Sequence, residues 1–214
     1  MKHLFVVAHY DDEVFSCGGT ISKMIKAGDE VRVLVICRPA VNHKFDQAEM
    51  DARHSAHVKA MYILGAQSSF RANFIDEKLF GESFVFMIDH IEDAIKDFGY
   101  CNVWTHWDKD FNQDHRAVAE GAEIAVRRMS GVKSLIHIEV PSATESSPRA
   151  FEPTLYVALS PEDLENKCEA IKCYTTALSS YRDVGTAHVY ARFRGRAINQ
   201  QNAEAFKIVR MIDE

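Results

Sequence analysis

The sequence predicts an α/β fold with a mainly parallel central sheet. Three observations lead there. Short apolar runs at residues 2–8, 31–37, 102–106 and 134–140 have the length and near-continuous hydrophobicity of fully buried strands. The segments between them carry the 3.6-residue apolar period of helices. Strand and helix alternate, which implies parallel strands joined by crossover helices.

The elements follow in order. "HLFVVA" belongs to the first strand, over 2–8, and a helical pattern runs from Asp12 to Ala27 with Ile21, Met24 and Ile25 on one face. Gly28 is its stop signal. "VRVLVIC" is the second strand, and "FDQAEMDARHSAHVKAMYILG" a helix closed by Gly65. A weaker strand is expected over about 68–75, then the helix "SFVFMIDHIEDAIKDFG" ending at Gly99. "NVWTH", the helix "QDHRAVAEGAEIAVRRM" and the strand "SLIHIEV" complete the alternation. After residue 140 comes the polar loop "PSATESSPRAFEP", then a strand "TLYVAL", a helix over Pro161–Ala177, a basic stretch "YARFRGR" and a final helix near 201–212. There is no internal repeat, low-complexity tract or obvious linker. The reading is one domain over 1–214: a Rossmann-like three-layer fold with an elaborated C-terminal part.

Composition narrows the partners. The net charge of −6, with no Lys/Arg run longer than two, argues against nucleic acid or an anionic membrane. No uncharged apolar stretch approaches the length of a membrane span. The N-terminal apolar run lacks a small-residue cleavage site and runs straight into acids, so it reads as a strand and not as a leader. Five cysteines without a C-x-x-C pair suggest reduced, buried thiols and a cytoplasmic protein.

In an open parallel sheet, ligands bind outside the carboxyl ends of the strands. Two clusters fall there. "AHYDDE" follows the first strand and brings His9, Tyr10, Asp11, Asp12 and Glu13. "HWDKDFNQDHR" follows "NVWT" and brings His106, Asp108, Asp110, Asn112, Asp114 and His115. Two histidines and one carboxylate with an open position form the ligand set of a catalytic zinc site. Thiol-free ligation also admits Fe²⁺, Co²⁺ or Mn²⁺. Taken singly, each feature has a plainer explanation: acids at a helix start complement its dipole, and Asp114 can cap the helix that follows. The pairing of two such clusters on one rim favours a site. "CGGT" (17–20) lacks the spacing of a phosphate loop, so close approach of another chain segment or of a ligand better explains Gly18 and Gly19.

These motifs resemble a known family. "AHYDDEVFSCGGTI" is similar to the A-H-P-D-D-E-x-x-x-x-G-G-T-[IL] signature of the PIG-L/LmbE-like N-deacetylases, and "THWDKDFNQDHRAVAE" to their T-H-x-x-x-D-x-[HN]-x-D-H-R-A-V signature. "RHSAHVKAMYILGA" and the late "RGRAINQQNAEAF" also look like the family. The resemblance implies zinc held by His9, Asp12 and His115, Asp11 as general base, and Asp114 beside the site as a tuning group. It implies Arg53 and Asp76 as lining of the substrate pocket. Three departures stand out. Tyr10 replaces the family proline, so the turn is freer or the tyrosine reaches the substrate. Asn112 stands where many members carry a histidine that polarises the amide carbonyl; it can donate a neutral hydrogen bond to an oxyanion, with His106 as the alternative. Ala56 replaces a glutamate that often accompanies Arg53.

The implied activity is a zinc-dependent removal of an acetyl or other acyl group from an N-acylated amino sugar or glycoconjugate precursor. Metal-bound water would attack, and Asp11 would take its proton. Arg53 and the basic Arg192, Arg194 and Arg196 either meet a phosphate or nucleotide on the sugar or form a solvated stretch. Lipid-linked substrates fit equally, and self-assembly is an expectation from family analogy alone. Two rivals are a catalytically silent sugar- or nucleotide-binding member of the same fold and a phosphoester hydrolase. The single three-ligand site disfavours the latter.

Overall fold

The computed structural model describes residues 1–38, 47–68, 74–99, 101–179 and 181–213. In chain order it contains β1 (Lys2–Val7), α1 (Asp12–Lys26), β2 (Glu30–Val35), β3 (Cys37–Arg38), α2 (Gln47–Leu64), β4 (Gln67–Ser68), β5 (Phe74–Ile75), α3 (Glu82–Phe98), β6 (Cys101–His106), α4 (Gln113–Arg128), β7 (Val132–Ile138), a 3₁₀ turn (Thr144–Ser146), β8 (Leu155–Ala158), α5 (Pro161–Lys172), α6 (Val184–Arg196) and β9 (Ala203–Met211).

Period-two alternation along the strands builds three layers. Phe5 and Val7 of β1 and Val31, Val33 and Val35 of β2 face a core shared with α1, α2 and α5. Leu4 and Val6 of β1, with Leu34 of β2, face the opposite core, where Met87, Ile91 and Ile95 of α3 and Val118 and Ala122 of α4 pack. Strands buried on both faces read as continuous apolar runs, which is why they were visible in the sequence.

The main sheet has the order β4-β2-β1-β6-β7-β9-β8, and β3 and β5 form a separate pair. β1 lies parallel to both β2 and β6, and β6 is parallel to β7. The strand order therefore reverses between β1 and β6. The loops after those two strands flank the crevice where open α/β sheets hold ligands.

Four expectations change. The segment expected as a strand over 68–75 contributes the ends of two short strands in different sheets, β4 and β5; residues 69–73 lie outside the described residues. α5 stops at Lys172, and Tyr174 turns inward so that its hydroxyl donates to Glu13 Oε1 at 2.6 Å. The basic stretch "YARFRGR" belongs to α6. The C-terminal segment is no helix: β9 inserts antiparallel between β7 and β8. Its alanine, glutamate and lysine favour a helix locally, but pairing on both edges and burial of Phe206 edge-on against Trp104, centroids 5.0 Å apart, decide otherwise.

The paired glycines have a packing cause. A Cβ on Gly18 would lie 2.9 Å from Lys167 Cγ, and one on Gly19 would lie 2.5 Å from Leu159 Cδ1. The C-terminal part closes directly onto α1 there, and Glu204 of β9 accepts the N–H groups of Gly19 and Thr20 at 3.1 and 2.7 Å.

Candidate active site

The turn after β1 is tight. Asp11, the residue before α1, has φ 101°, a left-handed conformation uncommon outside glycine. Its N–H donates to Glu13 Oε2 at 3.1 Å, and the N–H of His9 donates to Asp12 Oδ2 at 2.9 Å. Glu13 is fully buried and structural: besides Asp11 and Tyr174 it engages His57 Nδ1 of α2 at 3.0 Å. Three consecutive acids thus take three directions.

Asp12 Oδ2 is the centre of the cluster. His9 Nδ1 and His115 Nε2 each lie 3.3 Å from it. The opposite ring nitrogens are anchored to carboxylates: His115 Nδ1 to Asp110 Oδ1 at 3.0 Å, and His9 Nε2 to Asp76 Oδ1 at 3.0 Å and Asp114 Oδ2 at 3.4 Å. A carboxylate partner fixes the proton on the nitrogen it faces, as it does for metal-bound histidines. The other nitrogen of each ring is then a lone pair aimed at Asp12. One carboxylate oxygen and two imidazole nitrogens converge within 4.8 Å of one another. Such a set needs a cation or extra protons. Burial disfavours charge on His9, yet hydrogen bonds to Asp114, Asp12 and Asp76 carry its pKa well above the ordinary imidazole value. His115 is raised in the same way by Asp12 and Asp110 against burial. Burial likewise opposes the Asp12 anion, but His115, His106 and His9 hold its pKa well below the usual range. The donor set fits a divalent cation of the Zn²⁺ class.

Asp11 stands apart from this set. Arg182 Nη2 donates to its Oδ1 at 2.6 Å. Burial pushes its carboxyl up to about 6 against the pull of Arg182. A carboxylate of that basicity is suited to accept a proton near neutral pH.

A cavity of about 970 Å³ opens over these groups; His9, Asp11, Asp12, Asp76, Asn112 and His115 line it, together with Arg53 and Arg182. Arg53 Nε donates to Glu49 Oε1 at 2.7 Å, so a glutamate one turn earlier on α2 supplies the partner missing at Ala56. Asn112 caps α4: its Oδ1 accepts the N–H of Asp114 at 2.8 Å. That leaves the Nδ2 donor as its remaining polar group at the cavity. Asp114 accepts the N–H of Glu77 at 2.9 Å as well as facing His9, and burial raises its pKa.

Two expected substrate contacts are corrected. Tyr10 is buried, packs its ring 5.0 Å from His57, and does not line the cavity. The position after His9 points into the core, so the tyrosine is packing. His106 is completely buried beneath His115, rings 3.9 Å apart and nearly parallel, and it too is absent from the cavity wall. Its Nε2 accepts the N–H of Ala8 at 2.8 Å, so its proton sits on Nδ1. Burial and the charge of His115 push it down to about 4, which keeps it neutral. The basic stretch of α6 is also elsewhere. Arg194 is engaged by Glu139, with Nε to Oε1 at 2.7 Å, and Arg192 and Arg196 are exposed; none lines this cavity.

Two residues were missed. Asp110 orients His115 and also accepts the Thr144 hydroxyl at 2.6 Å; it stood in the second motif, and only the need of a ligand histidine for a carboxylate partner singles it out. Arg182 carried no local signal, being 171 positions from Asp11.

The fold is a mainly parallel α/β sheet that carries a histidine-and-carboxylate cluster at its carboxyl rim, and comparison with known sequences gives the family. The profile of the family described as PIG-L: GlcNAc-PI de-N-acetylase matches residues 4–126, and the chain belongs to that family. It is 27% identical over 174 residues to a protein of Escherichia coli (strain K12) described as uncharacterized deacetylase YaiS, covering 79% of this chain and 88% of that one. Among solved structures, N,N'-diacetylchitobiose deacetylase from Pyrococcus horikoshii superposes with a TM-score of 0.76 at 18% identity, over 97% of this chain and 83% of that one. The 4-carboxy-2-hydroxymuconate hydratase GalB from Pseudomonas putida KT2440 does so with a TM-score of 0.81 at 21% identity, over 100% and 99%. At those identities the likeness is one of fold. No helix among the described residues is long and apolar enough to cross a membrane.

Proposed function

We propose that the protein is a metal-dependent amide hydrolase that removes an acetyl group from an N-acylated amino sugar or a glycoconjugate precursor, free or linked to a lipid or nucleotide. The observation that carries this reading is the convergence of His9, Asp12 and His115 on one point while Asp11, next in sequence to a ligand, is held off it by Arg182. That division of labour, three ligands and one separate base, suits metal-assisted hydrolysis of an amide. His9, Asp12 and His115 would hold the cation, with Zn²⁺ as the first choice and Fe²⁺, Co²⁺ or Mn²⁺ as alternatives. When bound, it supplies Lewis-acid stabilisation of developing negative charge and lowers the pKa of water toward about 7. Asp11 takes a proton from the attacking water and passes it to the departing amine. Asn112 Nδ2 donates to the carbonyl oxygen as negative charge develops there. Asp110, Asp76 and Asp114 keep the histidine rings in register. Arg53 contacts the sugar or its substituent. The free, mostly buried cysteines support a cytoplasmic setting.

Acetate release from a panel of free, lipid-linked and nucleotide-linked N-acetyl sugars tests the reading, with phosphoesters and an unsaturated hydroxycarboxylate as further arms. Turnover of an N-acetyl sugar is the expected result. Hydration of the unsaturated acid or phosphoester cleavage without any acetate release would overturn it, and metal binding without turnover of any arm would favour a silent binding module.

The raised pKa values of His9 and His115 make a prediction about the metal. In the metal-free protein near neutral pH, protons occupy the positions that a cation displaces. Zinc loading should therefore release protons, and affinity should fall as the pH is lowered. Titration calorimetry in two buffers of different ionisation enthalpy counts the protons, and a buffer-independent heat would contradict the prediction. His9→Ala and His115→Ala should each lower zinc content without unfolding the protein.

Asn112 and His106 give a second. An oxyanion donor is worth about 10²–10³ in rate. Asn112→Ala should cost on that order with zinc retained, and should depress turnover more than it raises KM. A loss below about tenfold, beside a larger direct effect on turnover from His106→Phe with zinc retained, would return the assignment to His106.

A further inference from the structure

Asp11 is gripped by a side chain from outside the part of the chain that matches the family profile, which ends at residue 126. Arg182 Nη2 donates to Asp11 Oδ1 at 2.6 Å, and the Arg182 guanidinium carbon lies 4.8 Å from the centroid of Phe15 on α1. The grip comes from a residue tied at its backbone on both sides. Arg182 and Ser179 exchange two backbone hydrogen bonds, of 3.0 and 3.1 Å. The next residue, Asp183, caps α6 by accepting the N–H of Thr186 at 2.7 Å. Asp11 is equally constrained, by its left-handed backbone and its bond to Glu13. Both ends of the pair are therefore held before any substrate arrives.

We propose that Arg182 is a positioning residue for proton transfer: it engages one oxygen of Asp11, stops the carboxylate from rotating, and leaves Oδ2 as the oxygen that receives the proton from water. The inference rests on Asp11 being the base, as proposed above. Three further features favour it over a purely structural tie. An aspartate rotates about its terminal torsion in a broad, two-fold well, so its two oxygens are equivalent until one is engaged. A guanidinium stays charged at all working pH values, so the tie persists throughout the cycle. Arg182 Nε is buried without a hydrogen-bond partner among the described residues, an arrangement that costs stability and is not explained by a stabilising role. Arg182 also lines the cavity, and so stands beside the proton transfer itself.

The test is a double-mutant cycle of Asp11→Asn and Arg182→Ala, assayed on the N-acetyl sugar turned over fastest in the panel, with zinc content and Tm measured on every variant. Misplacing a reacting group by about 1 Å can cost on the order of 10²-fold. Arg182→Ala should lower kcat by about 10–10²-fold, with KM changed less than about threefold and zinc retained. In the Asp11→Asn background it should add nothing, because the group it positions is already gone. Arg182→Lys should recover part of the rate, and guanidinium added to Arg182→Ala should restore activity in a saturable way. If Arg182→Ala fails to fold, the cycle is run with Arg182→Gln, which keeps a donor without the charge. A kcat within about twofold of wild type, or losses that multiply in the double variant, would overturn the proposal while leaving the deacetylase reading intact. Full activity in Asp11→Asn would instead remove the base assignment, and the role of Arg182 with it.

Discussion

Asp11→Asn is expected to keep its metal and lose roughly 10²–10⁴ in turnover, the usual scale for loss of a general base, while Asp12→Asn loses the metal itself. The two acids are neighbours, yet their side chains are committed differently. Asp12 Oδ2 lies 3.3 Å from each of two imidazole nitrogens, so the carboxylate completes the donor set. Asp11 is not in that set; its Oδ1 is 2.6 Å from Arg182 Nη2. An asparagine at 11 has nearly the same shape and its Oδ1 still accepts from Arg182, so the turn and the metal site should survive. What it cannot do is take a proton at neutral pH. Metal content by elemental analysis and kcat on the same samples check this. Loss of metal from Asp11→Asn with retention in Asp12→Asn would show that the two roles are reversed.

The second large effect is on stability. Glu204→Ala should destabilise the protein by about 3–5 kcal/mol, the range for breaking a buried ion pair. Lys167 Nζ donates to Glu204 Oε1 at 2.6 Å with both side chains buried, and the same carboxylate accepts the N–H groups of Gly19 and Thr20. Removing it leaves a buried ammonium and two backbone donors without their acceptor. Replacing both partners, as Lys167→Met with Glu204→Gln, removes the stranded charge and keeps an amide oxygen for one of the two backbone donors. That pair of changes should recover a large part of the loss. Urea midpoints measure both, and a change below about 1 kcal/mol in Glu204→Ala would contradict the argument.

Much of the site was legible in the sequence because its donors are local. His9 and Asp12 sit in one turn at the end of β1, and His115 opens α4 shortly after β6. Residues within one motif have a spacing that survives whatever the rest of the chain does. The clusters were also readable as one site, because the strands of a parallel sheet deliver their carboxyl ends to a common rim. The parallel strands and crossover helices were equally plain, since each strand is a run of apolar residues buried on both faces. The departures from the family pattern at Tyr10 and Asn112 were visible too, but not their meaning.

The rest needed the tertiary structure, for one physical reason: it depends on groups that meet only when distant segments pack. Tyr10 turned out to be core because α2 supplies His57 and His54 to receive its ring and hydroxyl. His106 became a buried platform because Ala8, just past the end of β1, donates to it and His115 stacks upon it. Arg182 reaches the site from 171 positions away, and Asp76, expected at the pocket, meets His9 across 67 positions. The last segment became a strand because an open slot between β7 and β8 offered it two rows of backbone partners, against its local preference for helix. The sequence by itself determined the parallel α/β frame and the two acid-and-histidine turns, and through the family resemblance it pointed to the candidate ligands and base, because these are encoded over a few residues or a single period. The tertiary structure alone decided which polar groups face the cavity and which are sealed in the core, because burial belongs to the packed whole and to no single segment.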